Sequence, residues 1–487
     1  MNAPRATAAG TPTLVPVTDR LTPIRIAESS LCRDGSYDLD RFRSWFADHA
    51  RVAGNQVERV PLEQLDGWSA EAGTGTIRHD SGRFFSVEGV HVQVEDGPVP
   101  GWEQPIINQP EVGILGILAT EIGGVLHFLM QAKAEPGNVN GLQLAPTVQA
   151  TRSNYTRVHR GRAVPYLDYF RDRSLARVLV DVRQSEQGAW FLQKRNRNMV
   201  VEVVGEVPVV EGFHWMTLGQ IQQLLRVDDL VNMDARTVLS CLHLAAGTAT
   251  GRVALPGFPA ALIRSCDGSA GALHATESLL SWVTEKRSEA AVTVTPRPLA
   301  ALDGWDRADG RIEHASGRFF AVVGVAVQAR GREVVQWSQP MIEPRGEGLV
   351  ALLVRSIGGV LHALVHARIE PGYVDAVELA PTVQCIPDNY AVLPAEARPP
   401  HLDEVLAAPA DRIRFAATFS EEGGRFLHAR SRYLVVETDL DPMLVGPDYR
   451  WMTAAQIVDL LRHSHYFNVQ ARTLVACLHS LVAEAMG

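Results

Sequence analysis

Apolar and polar residues alternate in several short stretches of the first half of the chain. The clearest stretch is 84–94, where Phe85, Val87, Val90 and Val92 give an approximate alternation. A period of two is typical of a strand with one buried face, so a strand is expected there. Further strands are predicted by short apolar runs at 113–120, 125–134, 178–182 and 199–204.

Two other stretches have helical spacing. In the first, Leu39, Phe42 and further apolar residues recur at three- and four-residue intervals. In the second, Ile221 and Leu224 share a face behind Thr217, whose hydroxyl suits a helix N-cap. Because strands outnumber helices, the pattern predicts an α+β fold with a mixed sheet.

The whole pattern occurs twice in the chain. An offset of 235 residues relates the two copies without a gap from about residue 77 to about residue 202. Within 81–95, ten of fifteen residues are identical to those of 316–330. Since loops tolerate insertions readily, a register kept through every loop indicates that the loops are constrained. Two tandem duplicated domains are therefore predicted, each an α+β unit with a mixed β-sheet.

Chain length agrees with this division, because 487 residues exceed what one hydrophobic core usually supports. We expect a disordered N-terminus at 1–20, where Ala, Pro and Thr are frequent, and a first domain at 21–246. A linker rich in Gly, Ala and Pro at 247–273 and a second domain at 274–487 complete the prediction.

Composition and charge exclude several functional classes. The net charge of −9 and the lack of a Lys/Arg cluster argue against nucleic-acid binding. No apolar run reaches the roughly 18 residues of a membrane span, and the five cysteines lack paired spacing, so a cytoplasmic protein without a membrane partner is expected. The chain has no dinucleotide-binding, phosphate-loop, zinc-protease or serine-hydrolase motif, and no metal site is predicted.

Polar residues kept in both copies are candidates for a shared ligand site. Arginine forks suit a diphosphate, whereas Trp, Asn and Gln suit a base or a sugar. The alternative is that the tryptophans pack and that the arginines pair with Glu186 or Glu421. The substrate-binding residues predicted in the first copy are Trp102, Gln104, Asn138, Gln149, Asn154, Arg195, Asn196 and Arg197. The second pocket is predicted from Trp337, Gln339, Arg368, Glu370, Tyr373, Gln384, Asn389, Tyr390, Arg430 and Arg432.

Differences between the copies indicate where the chemistry takes place. Lys133 and His159 of the first copy correspond to Arg368 and Pro394 of the second. Lysine and histidine exchange protons near neutral pH when their surroundings shift their pKa, whereas arginine and proline do not. The first copy is therefore predicted to be the catalytic one, with a surface role for His159 and Lys194 as the alternative.

Several motifs resemble the NDP-hexose 2,3-dehydratase family over nearly the whole chain. They are SGRFF, WEQPII, QAKAEPGNVNGLQLAPTVQATRSNY, SEQGAWF, KRNRNMVVEV, HWMTLGQIQQLL and NMDARTVL. The resemblance implies a substrate of the type dTDP-4-keto-6-deoxy-D-glucose, which loses its C-2 hydroxyl to give a 3,4-diketo-2,6-dideoxy sugar in deoxysugar biosynthesis. It further implies a downstream 3-ketoreductase partner and a homodimer of chains with two Nudix-like domains, each with a nucleotide-sugar pocket.

Two alternative functions stay open at this point. The Gly/Glu-rich helix that binds magnesium in Nudix hydrolases is absent from both copies, so hydrolysis of a nucleotide diphosphate is disfavoured. The other alternative is a nucleotide-sugar binding protein without catalysis, for which the polar residues kept in both copies would suffice.

The chemistry of such a dehydration sets the groups that the site needs. A ketone at C-4 acidifies the C-3 hydrogen, and removal of that proton gives an enolate that expels the C-2 hydroxyl once an acid protonates it. This requires a base, an acid and donors to the enolate oxygen, and no redox cofactor. Candidates for these roles, which the sequence does not rank, are Lys133, Glu135, Tyr155 and His159, with Thr151, Asn138 and Asn196 as orienting or enolate donors.

Overall fold

A computed structural model describes residues 21–33, 38–95, 97–151, 164–243, 256–330 and 335–486. Its helices are α1 Leu21–Leu31, α2 Leu39–Val52, α3 Leu167–Arg171, α4 Leu218–Leu224, α5 Met233–Ser240, α6 Gly257–Ser265, α7 Thr276–Glu289, α8 Leu402–Leu406, α9 Ala454–Leu461 and α10 Val469–Met486. The segment 1–20, predicted to be disordered, lies outside the described residues.

The strands of the first half are β1 Gly54–Val60, β2 Trp68–Ala70, β3 Ile77–His79, β4 Ser86–Val94, β5 Gly101–Asn108, β6 Gly113–Ile122, β7 Val125–Ala134, β8 Leu142–Pro146, β9 Val148–Ala150, β10 Arg177–Ser185, β11 Arg195–Glu202 and β12 Phe213–Thr217. Those of the second half are β13 Val292–Arg297, β14 Trp305–Ala308, β15 Arg311–His314, β16 Phe320–Arg330, β17 Gln336–Pro344, β18 Gly348–Ile357, β19 Val360–Ile369, β20 Val377–Ala380, β21 Val383–Cys385, β22 Ile413–Ser420, β23 Arg430–Glu437 and β24 Tyr449–Thr453.

The predicted α+β class with mixed sheets is confirmed in both copies, here called the first repeat (21–243) and the second repeat (256–486). Each repeat has a seven-stranded sheet in which one parallel pair, β6 with β11 or β18 with β23, joins otherwise antiparallel strands. Each predicted strand of the first copy overlaps an observed one, and β7 has the predicted bounds. The Nudix resemblance stays a prediction.

Both predicted helices are also present. The first is α2, which begins at Leu39. The second is α4, where the Thr217 hydroxyl accepts a hydrogen bond from Gln220 N at 3.2 Å and the Gln220 side chain accepts one from Thr217 N at 3.1 Å. This reciprocal capping satisfies two backbone donors and fixes the start of the helix, which ends at Leu224.

Helices cover each seven-stranded sheet and form its hydrophobic core. In the first repeat Ile117 and Phe128 of the sheet pack in one cluster with Ile26 of α1 and Phe42 of α2. Ala476 of α10 belongs to the same cluster although it comes from the second repeat. The core of the first repeat is therefore completed by the second.

The first strand of each repeat pairs with the other repeat. β1 lies antiparallel to β16, with Val57 opposite Val327, and β13 lies antiparallel to β4, with Val294 opposite Val92. Each small sheet therefore depends on a strand from the other half of the chain. This reciprocal exchange was not predicted from the sequence.

A second exchange joins the loops at the two Glu-Pro-Gly turns. Gly137 N donates to the backbone oxygen of Gly423 at 2.7 Å, and Gly372 N donates to that of Gly188 at 2.7 Å. A Cβ atom on Gly137 would lie 1.8 Å from the backbone oxygen of Phe426. Glycine is required at this turn because the backbone of the other repeat leaves no room for a side chain.

Two buried arginines make a third reciprocal contact. Arg236 of α5 and Arg472 of α10 are both fully buried. Arg236 Nη2 donates to the backbone oxygen of Ser420 at 2.9 Å, and Arg472 Nη2 donates to that of Ser185 at 2.5 Å. Each guanidinium therefore satisfies a carbonyl of the opposite repeat, and its loss would leave that buried acceptor unpaired.

The stretch 247–273, predicted as a linker, contains helix α6. This helix packs on β19 as α1 packs on β7, and its residues Ala261 and Leu262 belong to the core of the second repeat. The domain boundaries themselves stay predictions. None of the helices in the described ranges is long and apolar enough to cross a membrane.

Candidate active site

Three residues of the predicted site meet where the end of β7 and the strand β9, which both pair with β6, lie near the start of α5. Lys133 Nζ lies 3.3 Å from Glu135 Oε1. Gln149 Nε2 donates to the same carboxylate oxygen at 3.4 Å and also to Oδ2 of Asp234, in the first turn of α5. Asn232 Nδ2 in turn donates to Gln149 Oε1 at 3.3 Å. A lysine, two amides and two carboxyl groups thus form one connected cluster, here called the first-repeat cluster.

The second repeat contributes to this cluster through residues 421–427, the crossing loop. A Cβ atom on Gly423 would lie 2.1 Å from Asn138 Oδ1 and 3.1 Å from Glu135 Cβ, so the loop rests directly on the site. The next residue back along the loop, Glu422, lies near enough to Glu135 and Lys133 for their charges to act on its carboxyl group. Both halves of the chain therefore build the first-repeat cluster.

A third side of the cluster comes from the start of β11. Asn196 Nδ2 donates to Glu186 Oε1 at 2.6 Å, and its Oδ1 accepts from Gly113 N at 3.0 Å. Lys194 Nζ donates to the backbone oxygen of Glu111. Alternation along the strand points Asn196 inward, and Lys194 is buried beside it.

Burial brings several of these pKa values toward neutrality. Burial raises the pKa of Glu422 to about 7, and the carboxylates of Glu135 and Glu186 add to the effect. Burial lowers the pKa of Lys194 to about 8. Burial also raises the pKa of Asp234 well above its ordinary value and raises the pKa of Glu186. Groups that titrate near neutral pH are what general acid–base catalysis requires.

The equivalent place in the second repeat has the same hydrogen-bonded frame. Arg368 Nε donates to Glu370 Oε1 at 2.8 Å, and Gln384 Nε2 donates to the same oxygen at 2.9 Å. Asn468 Nδ2 donates to Gln384 Oε1 at 2.7 Å and to the Tyr373 hydroxyl at 3.0 Å. The structure thus brings together four residues of the predicted second pocket.

The two sites differ in the residues around this frame. In the first repeat the frame is joined by Asp234, Lys194 and, from the crossing loop, Glu422 and Arg425. The residues in the corresponding sequence positions are Gln470, Ala429, Gln187 and Trp190. Each charged residue has a neutral counterpart. At these four positions the charged groups lie only around the first-repeat cluster, whereas the second repeat has a buried acid of its own at Glu378, whose counterpart is Gln143.

Trp102 and Gln104 hold a loop of the first repeat in place. Trp102 Nε1 donates to Gln104 Oε1 at 2.8 Å, and Gln104 Nε2 donates to the backbone oxygen of Ala189 at 2.8 Å. The second repeat has the same arrangement: Trp337 Nε1 donates to Gln339 Oε1 at 3.0 Å, and Gln339 Nε2 donates to the backbone oxygen of Gly424 at 2.7 Å. Since Gly424 lies in the crossing loop, the Trp337–Gln339 pair positions part of the first-repeat cluster.

The predicted diphosphate-binding arginines lie away from the cluster. Arg195 and Arg197 alternate with Asn196 along β11 and therefore point to its opposite face. There Arg197 Nη2 pairs with Asp181 at 2.5 Å, and Arg195 acts electrostatically on His465 of the second repeat. The structure does not bring these two arginines to Lys133 and Glu135.

The same holds for three predicted residues of the second pocket. Arg430 Nη2 pairs with Asp229 of the first repeat at 2.6 Å, and Arg432 is exposed. Asn389 Oδ1 accepts a hydrogen bond from Phe319 N at 3.0 Å. These contacts tie together neighbouring segments and leave Arg368 as the cation of that frame.

The remaining candidates fall partly outside the described residues. Asn154, Tyr155 and His159 lie in the segment 152–163, which the structure does not describe. Thr151 directly precedes this segment, one residue after β9. In the second repeat Tyr390 is described, and burial raises its pKa beside the charge of Arg368.

Part of the cluster was not predicted from the sequence. The residues not predicted are Asp234, Glu186, Glu422 and Arg425. Three of them, all but Glu186, are charged in one copy and neutral in the other. A comparison of the two copies selected Lys133 because its counterpart Arg368 does not exchange a proton near neutral pH, and the same comparison at every position would have found these three residues.

No three His, Cys, Asp or Glu side chains in the described ranges are arranged to hold a metal ion. An apolar cavity lined by His243, Cys266, Val475 and His479 lies among the helices near the C-terminus and shares no residue with the first-repeat cluster.

A duplicated α+β chain with one buried cluster of titratable carboxyl and amino groups has the features of an acid–base enzyme. A family model described as NDP-hexose 2,3-dehydratase matches residues 39–242 and 276–478, the two repeats. The chain therefore belongs to the NDP-hexose 2,3-dehydratase family, and it is an enzyme that removes water, a hydro-lyase.

Curated relatives agree with this assignment. Three proteins named dTDP-4-dehydro-6-deoxy-alpha-D-glucopyranose 2,3-dehydratase are similar over almost the whole chain. The one from Saccharopolyspora spinosa is 51% identical over 94% of this chain and 95% of its own length. Those from Amycolatopsis orientalis and Streptomyces violaceoruber are 50% and 48% identical, over 95% and 91% of this chain and 95% and 98% of their own lengths.

Proposed function

We propose that this enzyme removes the C-2 hydroxyl of dTDP-4-keto-6-deoxy-D-glucose and releases a 3,4-diketo-2,6-dideoxy sugar nucleotide. The name that the three relatives share supports this substrate, because each relative is similar over nearly all of the chain. The observation that carries the proposal is the first-repeat cluster, where Lys133, Glu135 and Asp234 lie in one hydrogen-bonded group. Such a group can move the protons that the dehydration requires.

Glu135 is proposed as the base that takes the C-3 proton. Its Oε1 forms an ion pair with Lys133 and accepts a hydrogen bond from Gln149, so the carboxylate is held in one orientation. Lys133 then lies beside the reacting carbon and donates to the enolate oxygen at C-4, where negative charge develops. Gln149 links this pair to Asp234 and keeps the two carboxyl groups apart.

Asn138 and Asn196 are proposed to orient the sugar. Asn138 is buried, and both polar atoms of its side chain lack a partner among the described residues. A buried amide without a partner is costly, so a ligand that bonds it would recover that energy. Thr151, one residue after β9, keeps its proposed role, and so do Tyr155 and His159, which lie outside the described residues.

The second-repeat site is proposed to bind a nucleotide sugar without turning it over. Arg368 and Glu370 provide the same frame as Lys133 and Glu135, with Tyr373 bonded to it through Asn468. Arginine holds its proton too strongly to serve as an acid or base near neutral pH. Binding with little or no chemistry is the expected result.

The assembly and the setting of the enzyme are also proposals. We expect a homodimer in the cytoplasm and a 3-ketoreductase that takes up the product. The diketone formed by this dehydration is a reactive product, so prompt reduction by a partner enzyme fits the chemistry.

Incubation of the purified enzyme with dTDP-4-keto-6-deoxy-D-glucose tests the proposal. Mass spectrometry should detect loss of one water, and a 3-ketoreductase with its nicotinamide cofactor should convert the product to a stable 2,6-dideoxy-4-keto sugar nucleotide. Recovery of unchanged substrate with bound dTDP would contradict a catalytic role on this sugar.

A further inference from the structure

Glu422 occupies an unusual place, since it belongs to the second repeat but lies in the first-repeat cluster. Its Oε1 accepts a hydrogen bond from Gly424 N at 3.2 Å. Its Oε2 is buried and has no hydrogen-bond partner among the residues that the structure describes, although the residue as a whole is only half-buried. A buried carboxyl oxygen without a hydrogen-bond partner is costly, so a substrate that reached it and supplied a partner would recover that energy.

The crossing loop that carries Glu422 is held rigidly on both sides. Gly423 O accepts from Gly137 N at 2.7 Å, and Leu427 N donates to the backbone oxygen of Ile342 at 2.7 Å. Gln339 Nε2 donates to the backbone oxygen of Gly424 at 2.7 Å. Because the loop is bonded to both repeats, the carboxyl group of Glu422 is positioned before substrate arrives.

The surroundings of Glu422 keep its proton on near neutral pH. Burial raises the pKa of this carboxyl group to about 7, so a large fraction is protonated at pH 7. The corresponding loop of the first repeat, residues 186–192, has Gln187 at this position, and a glutamine cannot supply a proton. Glu422 interacts electrostatically with six charged or titratable side chains: Arg425, Glu135, Glu186, Lys133, Asp234 and Lys194.

We propose that Glu422 is a catalytic residue of the first-repeat site, the acid that protonates the departing C-2 hydroxyl. The inference rests on the proposed dehydration and adds a residue that the second repeat supplies. It assigns to Glu422 the leaving-group step and leaves the C-3 proton to Glu135.

The proton transfers balance with these two residues alone. Glu135 takes the C-3 proton, and the electrons of that bond form the enolate with C-4. The enolate forms a C-2=C-3 double bond as the C-2–O bond breaks, and the proton of Glu422 converts the leaving hydroxide to water. The enol then passes its O-3 proton to Glu422 and receives a proton at C-2 from Glu135, which restores both carboxyl groups.

Glu422→Gln in D2O separates the two steps. The variant should bind dTDP as the wild type does and lose water from dTDP-4-keto-6-deoxy-D-glucose roughly 10²- to 10⁴-fold more slowly. It should still exchange the C-3 hydrogen of the recovered substrate for deuterium, seen by proton NMR, because Glu135 is intact. The corresponding residue of the first repeat is a glutamine, Gln187, so a glutamine should also fit at position 422.

Glu378→Gln is the matched control. Glu378 is a second fully buried carboxyl group whose pKa burial raises to about 7, and its counterpart in the first repeat is Gln143. Its partner is the Ser185 hydroxyl, which donates at 2.5 Å, and it lies outside the first-repeat cluster. This variant should dehydrate the sugar at nearly the wild-type rate, which separates the role of Glu422 from a general effect of removing a buried acid.

Several outcomes would overturn the assignment. Wild-type water loss in Glu422→Gln would exclude Glu422, and loss of both water elimination and C-3 exchange with dTDP still bound would make it part of the base step. If the variant fails to fold, the wild-type pH profile decides: kcat should fall as pH rises through about 7, and a kcat that stays level from pH 6 to 9 would contradict the assignment. No turnover by the wild type itself would instead refute the proposed function, and this inference with it.

Discussion

The two repeats have the same frame but differ in charge. In both, a strand cation, a glutamate and a glutamine meet beside the start of a helix, as Lys133, Glu135 and Gln149 do in the first repeat. Two acids lie around the frame of the first repeat: Asp234, whose pKa burial raises well above its ordinary value, and Glu422, whose pKa burial raises to about 7. The frame of the second repeat has glutamines at both corresponding positions and instead has Glu378 buried near it. The comparison indicates that the shared frame alone does not set the chemistry, since the two repeats differ in the ionisable groups placed around it.

The two repeats are not structurally independent of each other. The crossing loop of the second repeat completes the first-repeat cluster, and β1 and β13 are exchanged between the two small sheets. The second repeat thus supplies Glu422 and Arg425 to the surroundings of the first-repeat cluster.

Separating the two repeats into fragments should have the largest effect on the folding and solubility of the protein. Fragments 21–243 and 256–486 produced alone are expected to aggregate, because β4 and β16 each lose an antiparallel partner and expose a strand edge. Produced together, they should associate into a soluble complex, measured by size-exclusion chromatography. A cooperative thermal transition from either fragment alone would contradict this dependence.

Lys133→Arg should convert the first frame into a copy of the second. Arginine would keep the pairing with Glu135 but could not place a compact charge at the enolate oxygen or give up a proton, so kcat should fall roughly 100-fold. Steady-state kinetics with the 4-keto sugar nucleotide measures this. The reverse substitution, Arg368→Lys, should cost less than about tenfold, and an equal loss in both variants would argue against unequal sites.

The pH dependence of stability should respond to Glu378. Its raised pKa, about 7, means that the folded protein holds a proton that the unfolded chain releases above the ordinary pKa of glutamate, so stability is lost as pH rises toward 7. Between pH 5 and 7 this group should lower the free energy of unfolding of the wild type by up to ~3 kcal/mol, and Glu378→Gln should abolish that decrease. Thermal melts at a series of pH values provide the measurement.

An exposed carboxylate gives the control for that series. Glu285 lies on the exposed side of α7, and Glu285→Gln should follow the wild-type melting temperatures at every pH. If Glu378→Gln follows them as well, Glu378 does not hold its proton in the folded protein.

The fold within each repeat could be predicted from the sequence because strand and helix periods are local. The exchange of β1 and β13 could not, since a short strand with one polar face fits the edge of either small sheet equally well. Of the site, Lys133, Glu135 and Gln149 were predicted and do meet.

The assignment of arginines shows why the rest of the site was harder. Arg195 and Arg197 were selected with Asn196, yet neighbours on a strand point to opposite faces, so they could not all reach one ligand. Glu422 and Arg425 were missed because their contact with the first repeat depends on how the two halves cross. Their charge difference from Gln187 and Trp190 was visible in the sequence, whereas their location was not.

The most direct test compares Glu135→Gln with Glu370→Gln, the same substitution at the same place in the two frames. With dTDP-4-keto-6-deoxy-D-glucose in D2O, proton NMR follows water loss and deuterium uptake at C-3 in one sample. Glu135→Gln should lower both by roughly 10²- to 10⁴-fold, and Glu370→Gln should lower both by less than about tenfold. Full turnover by Glu135→Gln, or an equal loss in the two variants, would contradict an active centre in the first repeat.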